Sequence, residues 1–451
     1  MSLKINLTKG FDIKLKGSAL EEISEFQAPS SYALKPTDFI GLSRPKLLVS
    51  EGDEVRSGTP ILFDKLSESV MYSSPVSGEV VEIVRGEKRR LEEIRILPDK
   101  VNKFIKFKKY NESDIDQLSK EEIINNLCSS GIWPNLIQRP FGMVADPKLS
   151  PKSIFISFFN TNPLSPNYSY VYAEDKEFIK IGIKVVQMLT EGKIHLNHNS
   201  DTFSEFSFDG CQNNLFSGPH PSGNVGIQIH HIEPINKGDV VWTTTPQGLV
   251  EIGRLFIEGR YDSSRKICVV GSEVVNPKFY KCNYGINVSS MLKKVNENNC
   301  RVISGNVLTG HSIGFNGYLG FYDNMISVLP EGDNHSFLGW IMPVANKLSF
   351  QRAFGLLSFL KPKKNEYILD TNTNGELRAF VQTGVFEKVL PMDILPTFLF
   401  KAILANDYDE MEELGIYELI EEDIALCEFV DVSKNELQKL LRKGLNLLME
   451  D

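Results

Sequence analysis

A capped helix followed by a rigid apolar loop constrains the fold of this chain more than any other stretch. Ser119 and Glu122 have the spacing of a capping box, in which each side chain satisfies a free amide of the first helical turn. Residues 131–142, GIWPNLIQRPFG, follow this helix. Because proline fixes the backbone, the large side chains of this loop are held in place at little entropic cost. The loop is therefore either hydrophobic core or one wall of a pocket for a flat apolar ligand, with Arg139 at its polar end.

The composition is typical of a large soluble protein with several domains. The chain has 451 residues, of which 41% are hydrophobic and 24% are charged. No apolar run approaches the roughly 18 residues that a membrane span requires, and the N-terminus has no signal-peptide core. We therefore expect a cytoplasmic protein with no transmembrane segment, although docking onto a membrane complex stays open. The net charge of −9 argues against nucleic acid as a partner, because phosphate binding needs a basic face.

The cysteines and histidines do not have the spacing of common metal or redox sites. No two of the six cysteines form a C-x-x-C pair, which argues against zinc ribbons, redox dithiols and ferredoxin-type clusters. His220, His230 and His231 invite a metal-site interpretation, but no cysteine or carboxylate cluster completes a ligand set. We expect no metal site, buried single thiols, and histidines that lie in a capped turn and a strand.

The pattern along the chain predicts an α+β protein with four regions. Residues 1–100 have short strands, and their turns between residues 47 and 83 resemble those of the lipoyl and biotinyl carrier fold, a small β-sandwich or hammerhead. Residues 101–260 alternate strand, helix and strand, the pattern of a Rossmann-like α/β domain. Residues 261–335 predict a small β-grasp-like module, and residues 336–451 a helical region.

Several local features carry more specific expectations. Lys65 is about two residues upstream of the lysine position of true carriers, so we expect no lipoyl or biotinyl group on it. The phosphate-binding Gly-x-Gly-x-x-Gly is absent after the predicted strand at 153–159, which gives no indication of a dinucleotide site. The glycine- and proline-rich loop at 216–226 predicts a rigid backbone that approaches a ligand or another protein chain closely. The acidic run at 410–422 predicts a solvated helix face rather than a metal site.

Capping residues predict where further helices begin. Asp175 precedes a helix with apolar residues at helical spacing. Ser433 and Glu436 repeat the capping-box spacing ahead of a leucine-rich helix. A short helix is expected at 288–294.

Short motifs spread over almost the whole chain resemble the NqrA family, whose members belong to the sodium-translocating NADH:quinone reductase, the Nqr complex. In chain order they are GIW at 131–133, RPF at 139–141, NTNPL at 160–164, LTEGK at 189–193, GPHPSG at 218–223, RVISG at 301–305, YLG at 318–320, GW at 339–340 and EEDIALC at 421–427. Each motif is weak alone, but in this order they are specific. The family is similar to the flavin-binding subunit of complex I and to RnfC of the Rnf complex, which implies an SLBB-type β-grasp module at 261–335.

Two redox sites of the complex I relative look lost in this chain. Its glycine-rich loop, which lets FMN approach the backbone, is replaced by the large side chains of Trp133, Leu136, Ile137, Arg139 and Phe141. Of its C-x-x-C-x-x-C cluster motif only Cys427 remains, with Asp431 at a place where family members often have a second cysteine. One thiolate cannot hold a four-iron cluster. The resemblance therefore implies that this chain binds no flavin and no iron–sulfur centre and does not itself oxidise NADH.

The resemblance implies a peripheral subunit on the cytoplasmic side of the bacterial inner membrane. The six-subunit complex oxidises NADH, reduces a quinone and exports sodium, with FMN, riboflavin, FAD and the 2Fe–2S centre in the partner subunits NqrB to NqrF. The membrane protein NqrB is the chief expected partner, and the isolated chain is not expected to be active alone. Both ubiquinone and menaquinone stay open as the substrate.

Two functions stay open for the chain itself. It is either a quinone-binding subunit or a structural scaffold derived from a flavin-binding ancestor. A quinone needs apolar walls for its ring and a donor for its carbonyl oxygen. No catalytic residue is expected, and the expected quinone contacts are Phe39, Leu42, Trp133, Arg139, Pro140 and Phe141.

Overall fold

The described part of the chain contains four β-sheets, helices that flank the largest of them, and a C-terminal group of helices. This α+β, multidomain architecture confirms the fold class predicted from the sequence. The structure is a computed structural model, and the residues it describes are 2–26, 28–292, 295, 299–332, 337–339, 341–342, 348–351, 357, 366–381 and 384–450.

The first two strands of the chain join sheets outside the N-terminal module. Strand β1 (Lys4–Asn6) runs parallel to a strand at residues 212–217, and β2 (Ile23–Ser24) runs parallel to one at residues 278–283. The predicted first region, residues 1–100, therefore also contributes to the sheets of the second and third modules.

Antiparallel hairpins form the N-terminal module. Its strands are β3 (Tyr32–Leu34), β4 (Pro45–Leu47), β5 (Glu54–Val55), β6 (Pro60–Asp64), β7 (Ser67–Ser73), β8 (Gly78–Arg85) and β9 (Leu91–Pro98). They pair in the orders β3-β9-β8-β5 and β4-β6-β7. Lys65 is exposed in the turn between β6 and β7.

A mixed sheet with helices forms the second module. Its strands are β10 (Ile137–Arg139), β11 (Met143–Val144), β12 (Ser153–Ser157), β13 (Lys193–His198), β14 (Gln212–Ser217) and β15 (Val241–Thr244). Its helices are α1 (Glu112–Ile115), α2 (Lys120–Ser130), α3 (Tyr168–Val171), α4 (Lys176–Gln187), α5 (Ser200–Phe203), α6 (Val225–Ile232) and α7 (Pro246–Glu258). The strand order is β1-β14-β13-β12-β15-β10-β11, and the first five strands in that order are parallel. Helices α4 and α7 pack closely, because a Cβ at Gly182 or Gly253 would lie 2.3 or 2.1 Å from a carbonyl oxygen of the facing helix.

The third module is a second mixed sheet. Its strands are β16 (Ser264–Val270), β17 (Lys278–Asn283), β18 (Cys300–Ser304), β19 (His311–Ser312) and β20 (Met325–Pro330). With β2 they have the order β19-β18-β20-β16-β17-β2. In place of the helix predicted at 288–294 the structure has one 3₁₀ turn at Val288–Ser290, and residues 293–294 lie outside the described residues.

Helices dominate the described residues from 386 onward, whereas the described residues between 336 and 381 contain no helix, so the helical prediction for 336–451 agrees with the later part of that range. They are α8 (Phe386–Val389), α9 (Pro396–Ala405), α10 (Tyr408–Glu413), α11 (Glu421–Val430) and α12 (Leu437–Glu450). Helix α12 buries Leu437, Leu441 and Leu445, which lie on one face at a spacing of four residues. Within the described ranges, no helix is both long and apolar enough to cross a membrane.

Two predicted helix caps are wrong in their details. Asp175 does stand before α4, but its carboxylate accepts from the guanidinium of Arg254 at 2.8 Å and makes no cap bond. Ser433 lies outside α12, which begins at Leu437, and its hydroxyl donates to the carbonyl of Ala379 at 3.0 Å. In both cases the side chain forms a hydrogen bond with a group far away in the sequence instead of with the first turn of the helix.

Candidate functional site

A cavity of about 370 Å³ lies at the carboxyl ends of β12 and β15. From β12 the chain continues to β13 and β14 on one side, whereas β15 lies on the other side of β12. Open α/β sheets bind ligands at such a reversal of strand order, because the loops diverge there and leave a crevice. Ser157 and Thr244, the last residues of the two strands, both line the cavity.

All four regions of the chain contribute to the wall of this cavity. The side chains that represent them are Asp38 and Ile40 from the N-terminal module, Ile137 and Arg139 from β10, Phe321 and Tyr322 from the third module, and Ile420 and Glu422 from the helical region. The cavity is therefore completed only when the regions pack together.

The capped helix of the sequence leads to this cavity. The predicted capping box is present, and the amide of Glu122 donates to the Ser119 hydroxyl at 3.2 Å. Gly131 ends α2 in the left-handed conformation, with φ +83°. A 3₁₀ turn at Trp133–Asn135 and strand β10 then carry the chain along the cavity to Arg139.

The segment around residues 39–42 contacts strand β11, which follows directly after the predicted loop at 131–142. The amide of Val144 donates to the carbonyl of Ile40 at 3.2 Å. Gly41 has φ +90°, and a Cβ there would lie 3.0 Å from the methyl carbon of Met143. A glycine is required at this crossing, both for its backbone conformation and for the close approach of the two segments.

Phe39 and Leu42 lie beside the cavity rather than on its surface. Phe39 is 3% exposed and packs against Phe321 and Tyr322, with ring centroids 4.9 and 6.0 Å apart. Both of these aromatic residues line the cavity. Leu42 is half-buried and packs against the core.

Trp133, Pro140 and Phe141 also lie behind the cavity wall. Trp133 is fully buried, and its indole NH donates to the carbonyl of Ala145 at 2.7 Å. Pro140 is buried, and Phe141 is half-buried with its ring 6.0 Å from that of Tyr417. Of the six residues proposed from the sequence, Arg139 lines the cavity. Contact of any of the six with a quinone stays a prediction.

Arg139 forms a buried ion-pair cluster with the start of α11. Its side chain is 1% exposed, and its terminal nitrogens bond the carboxylates of Asp423 and Glu422, each at 2.7 Å. The side chain of Asp423 is fully buried and also accepts from the amide of Ile420 at 3.0 Å, which caps α11. The acidic run at 410–422 was predicted to be a solvated face. That prediction is incomplete at Glu422, because its carboxylate forms an ion pair with the buried Arg139 at the cavity wall, with 36% of the side chain still exposed.

The glycine- and proline-rich loop packs against this ion-pair cluster. Gly226, at the start of α6, lies so close that a Cβ would be 2.4 Å from the Asp423 carboxylate and 2.5 Å from the Arg139 guanidinium. The predicted close backbone approach is therefore made to an ion pair inside the chain, while Gly223 lines the cavity.

Comparison with known proteins identifies the family. Residues 5–99 match the NqrA N-terminal barrel-sandwich hybrid domain, residues 118–261 the NqrA second alpha/beta domain, and residues 266–314 the NQRA C-terminal domain. NqrA of Pasteurella multocida, from a Na⁺-translocating NADH-quinone reductase, is 37% identical over 99% of this chain and 100% of its own length. The chain belongs to the NqrA family.

Further relatives agree with this assignment. The NqrA protein of Alcanivorax borkumensis is 35% identical over 98% of this chain and 99% of its own length. That of Yersinia pestis is 35% identical over 99% of this chain and 100% of its own length. Among solved structures, an air-oxidised NAD⁺-reducing [NiFe]-hydrogenase is 11% identical, with a TM-score of 0.36 over 78% of this chain and 67% of that one. That likeness is too weak to support a conclusion. The chain is thus a subunit of an oxidoreductase that translocates Na⁺.

Two carboxyl groups at the cavity of this NqrA chain have a raised pKa, and burial is the main cause for Asp38. The second is Glu422. Burial and the neighbouring Asp423 charge raise its pKa to about 7, against the lowering effect of Arg139. The side chain nevertheless keeps 36% of its surface accessible and lines the cavity.

Negative groups outnumber positive ones at the cavity wall. Asp38, Asp323 and Glu422 line it together with Arg139 and Arg265. Arg265 is already paired with the buried carboxylate of Glu251 at 2.8 Å, and Arg139 with Asp423. Lys35 lies 3.3 Å from Asp38 and compensates that charge in part. An anionic ligand would therefore meet net repulsion inside the cavity.

The histidines singled out in the sequence are bound to protein groups. His220 is buried with Nδ1 3.1 Å from the Thr161 hydroxyl. His230 Nδ1 lies 2.8 Å from Glu418, and its Nε2 accepts from the amide of Asp393 at 3.0 Å. The expectation of a strand histidine is wrong, because His230 and His231 lie in α6. Within the described residues, no three histidine, cysteine or acidic side chains are grouped like metal ligands.

Cys427 is buried in the middle of α11, and burial raises the pKa of its thiol. All six cysteines are free thiols, but the expectation that they are buried is wrong for Cys211 and Cys300, which are half-buried. Sequence reasoning missed Glu422 and Asp38 at the cavity. The acidic run did signal a charged segment, but its partner Arg139 lies 283 residues away from Glu422 in the chain, and no local spacing reveals such a pair.

Proposed function

We propose that this chain binds a quinone in the cavity between β12 and β15 and so contributes to quinone reduction by the Na⁺-translocating complex. The observation that carries the proposal is that Ile40 from segment 39–42 and Ile137 and Arg139 from segment 133–141 line one cavity. The names of the relatives supply the reaction, because they are subunits of an NADH-quinone reductase.

The cavity has the size and lining that a quinone ring requires. Its volume of about 370 Å³ lies in the range of small-molecule sites. Ile40, Ile137 and Tyr322 offer apolar surface for the ring, while the Asn162 amide and the Tyr168 hydroxyl line the same cavity as potential donors to a carbonyl oxygen.

The chain occupies a peripheral position in the complex, on the cytoplasmic side of the bacterial inner membrane. It docks onto the membrane protein NqrB, and the flavins and the 2Fe–2S centre reside in partner subunits rather than in this chain. The quinone tail then runs from the cavity toward NqrB.

Isothermal titration of the purified chain with a short-tailed, water-soluble quinone tests the proposal. Ile40 lines the cavity and is 38% exposed, so Ile40→Trp adds a ring that fills part of the space without burying a new group in the core. We expect saturable binding by the wild-type chain and at least tenfold weaker binding by the variant. Leu48→Trp is the matched control, because Leu48 is 47% exposed in the same module and does not line the cavity.

Equal binding by the two variants would move the quinone site away from this cavity. Absence of saturable binding by the folded wild-type chain, with normal assembly of the complex, would favour the scaffold function instead.

A further inference from the structure

We propose that Glu422 is the residue that exchanges protons with the quinone in this cavity. The inference rests on the proposed function and adds a chemical role to one side chain. In this role Glu422 gives its proton to a reduced quinone oxygen and is then reprotonated by water.

The position of Glu422 suits this role. One carboxylate oxygen, Oε1, bonds Arg139 at 2.7 Å, which fixes the direction of the side chain. The other oxygen, Oε2, has no hydrogen-bond partner among the described residues, and the side chain is 36% exposed at the cavity wall. The carboxyl group is therefore both oriented and reachable from the cavity.

The charges around Glu422 allow it to become neutral. Arg139 and Asp423 form a fully buried pair whose charges cancel, so Glu422 carries the surplus negative charge of the cluster. Protonation of Glu422 leaves no unpaired charge in the interior, whereas protonation of Asp423 would remove the partner of a buried cation. The raised pKa of Glu422 agrees with this arrangement.

Other titratable groups that act on Glu422 are already engaged. Glu421 is held by Arg442 at 2.7 Å, and it does not line the cavity. The Tyr168 hydroxyl faces the cavity, and burial raises its pKa above the ordinary value, so it stays protonated at neutral pH. Glu422 is therefore the acidic side chain at the start of α11 that reaches the cavity.

Each of the other two carboxylates of the cavity is held by protein groups. Asp38 accepts from the amide of Phe321 at 2.8 Å and lies 3.3 Å from the Lys35 ammonium. Asp323 accepts from the Ser304 hydroxyl. Burial raises the pKa of Asp38 too, but protonation of Asp38 would cost its charge-assisted bond with Lys35, while one Asp323 oxygen already accepts from the hydroxyl.

The chemistry requires a proton at this place. A quinone that takes up two electrons, which the complex obtains from NADH, becomes a dianion unless two protons bind its oxygens. In a cavity with surplus negative charge the anion is disfavoured, so protonation accompanies electron transfer. The O–H bond of Glu422 breaks as the first O–H bond of the quinol forms, and the second proton comes from water.

The test compares Glu422→Gln with Glu421→Gln in the reconstituted complex. The amide oxygen introduced by Glu422→Gln still accepts from Arg139, but the side chain carries no exchangeable acid. We expect quinone affinity within about twofold of wild type and quinol formation in a single turnover slowed about tenfold or more, as is typical for loss of a general acid. The change of the rate with pH around neutrality should disappear in Glu422→Gln and persist in Glu421→Gln.

Two results separate this inference from the proposed function. If Glu422→Gln binds quinone normally and keeps the wild-type rate and pH profile, Glu422 does not exchange the proton, while the binding proposal stands. If the wild-type chain does not bind quinone, both fail. Unchanged hydrogen exchange in α11 of the variant would show that its effect on the rate is not caused by misfolding.

Discussion

Replacement of Arg139 by methionine tests the structural role of the ion-pair cluster. The substitution keeps an unbranched apolar stem but removes the cation from a site that is 1% exposed. The Asp423 carboxylate, which is fully buried, then has no positive partner. Breaking a buried ion pair in this way costs about 3–5 kcal/mol. Because Glu422 keeps access to the cavity and can protonate, we expect a value near the lower end, about 3 kcal/mol.

The chain has several modules, so the assay must report on the C-terminal helices. Hydrogen exchange of a peptide covering α11, together with the midpoint of urea unfolding, gives the local and the global stability. Arg442→Met is the matched control, because Arg442 is 19% exposed where it pairs with Glu421. This partly exposed pair should contribute about 1 kcal/mol or less.

A double variant tests whether Arg139 and Asp423 depend on each other. Asp423→Asn keeps an oxygen that accepts from the amide of Ile420 and so preserves the helix cap, but it removes the buried charge. Combined with Arg139→Met it should recover more than half of the lost stability, because the one carboxylate left without its cation is Glu422, which is 36% exposed. A loss below about 1 kcal/mol in Arg139→Met, or no recovery in the double variant, would refute the argument that the pair is interdependent.

Three further predictions concern other parts of the chain. Gly226→Ala should destabilise the chain by about 1–3 kcal/mol in urea unfolding, because its methyl group would overlap the ion-pair cluster; an unchanged midpoint would contradict the close packing. Burial lowers the pKa of His195, His198 and His220 to about 4. Below pH 6.5 the unfolded chain therefore takes up protons that the folded chain excludes, and the free energy of unfolding should fall by about 1–2 kcal/mol for each histidine between pH 7 and pH 5. Thermal unfolding at both pH values checks this. The purified chain should be colourless and Lys65 unmodified, and a flavin spectrum, iron in the preparation or an added acyl mass on Lys65 would contradict this.

Features set by neighbouring residues could be predicted from the sequence. The capping box at Ser119 and the stop at Gly131 are correct, because both depend on bonds within one helix. The alternation of β12, α4 and β13 also follows from local periodicity. The loop at 131–142 was predicted to be either hydrophobic core or a pocket wall. The structure has both, since Trp133 lies in the core and Arg139 lines the cavity.

Features set by distant partners could not be predicted. Asp175 has the spacing of a cap, but Arg254 lies close in space and binds its carboxylate more favourably than a helix amide does. Glu422 has the composition of a solvated face, but its environment is decided by a residue from another module. The cavity itself depends on packing between four regions, and no single stretch of sequence encodes it.

The placement of β1 and β2 has a consequence for synthesis on the ribosome. These strands emerge first, but their partners β14 and β17 end at residues 217 and 283. At translation rates of about 5–20 residues per second, β2 waits on the order of 10–50 s for its partner. During that interval the nascent N-terminus has unpaired strand edges, which are exposed to mispairing or to chaperones. The N-terminal hairpins can fold early. Strands β1 and β2 are synthesised before them but can join the second and third modules only after those modules have been made.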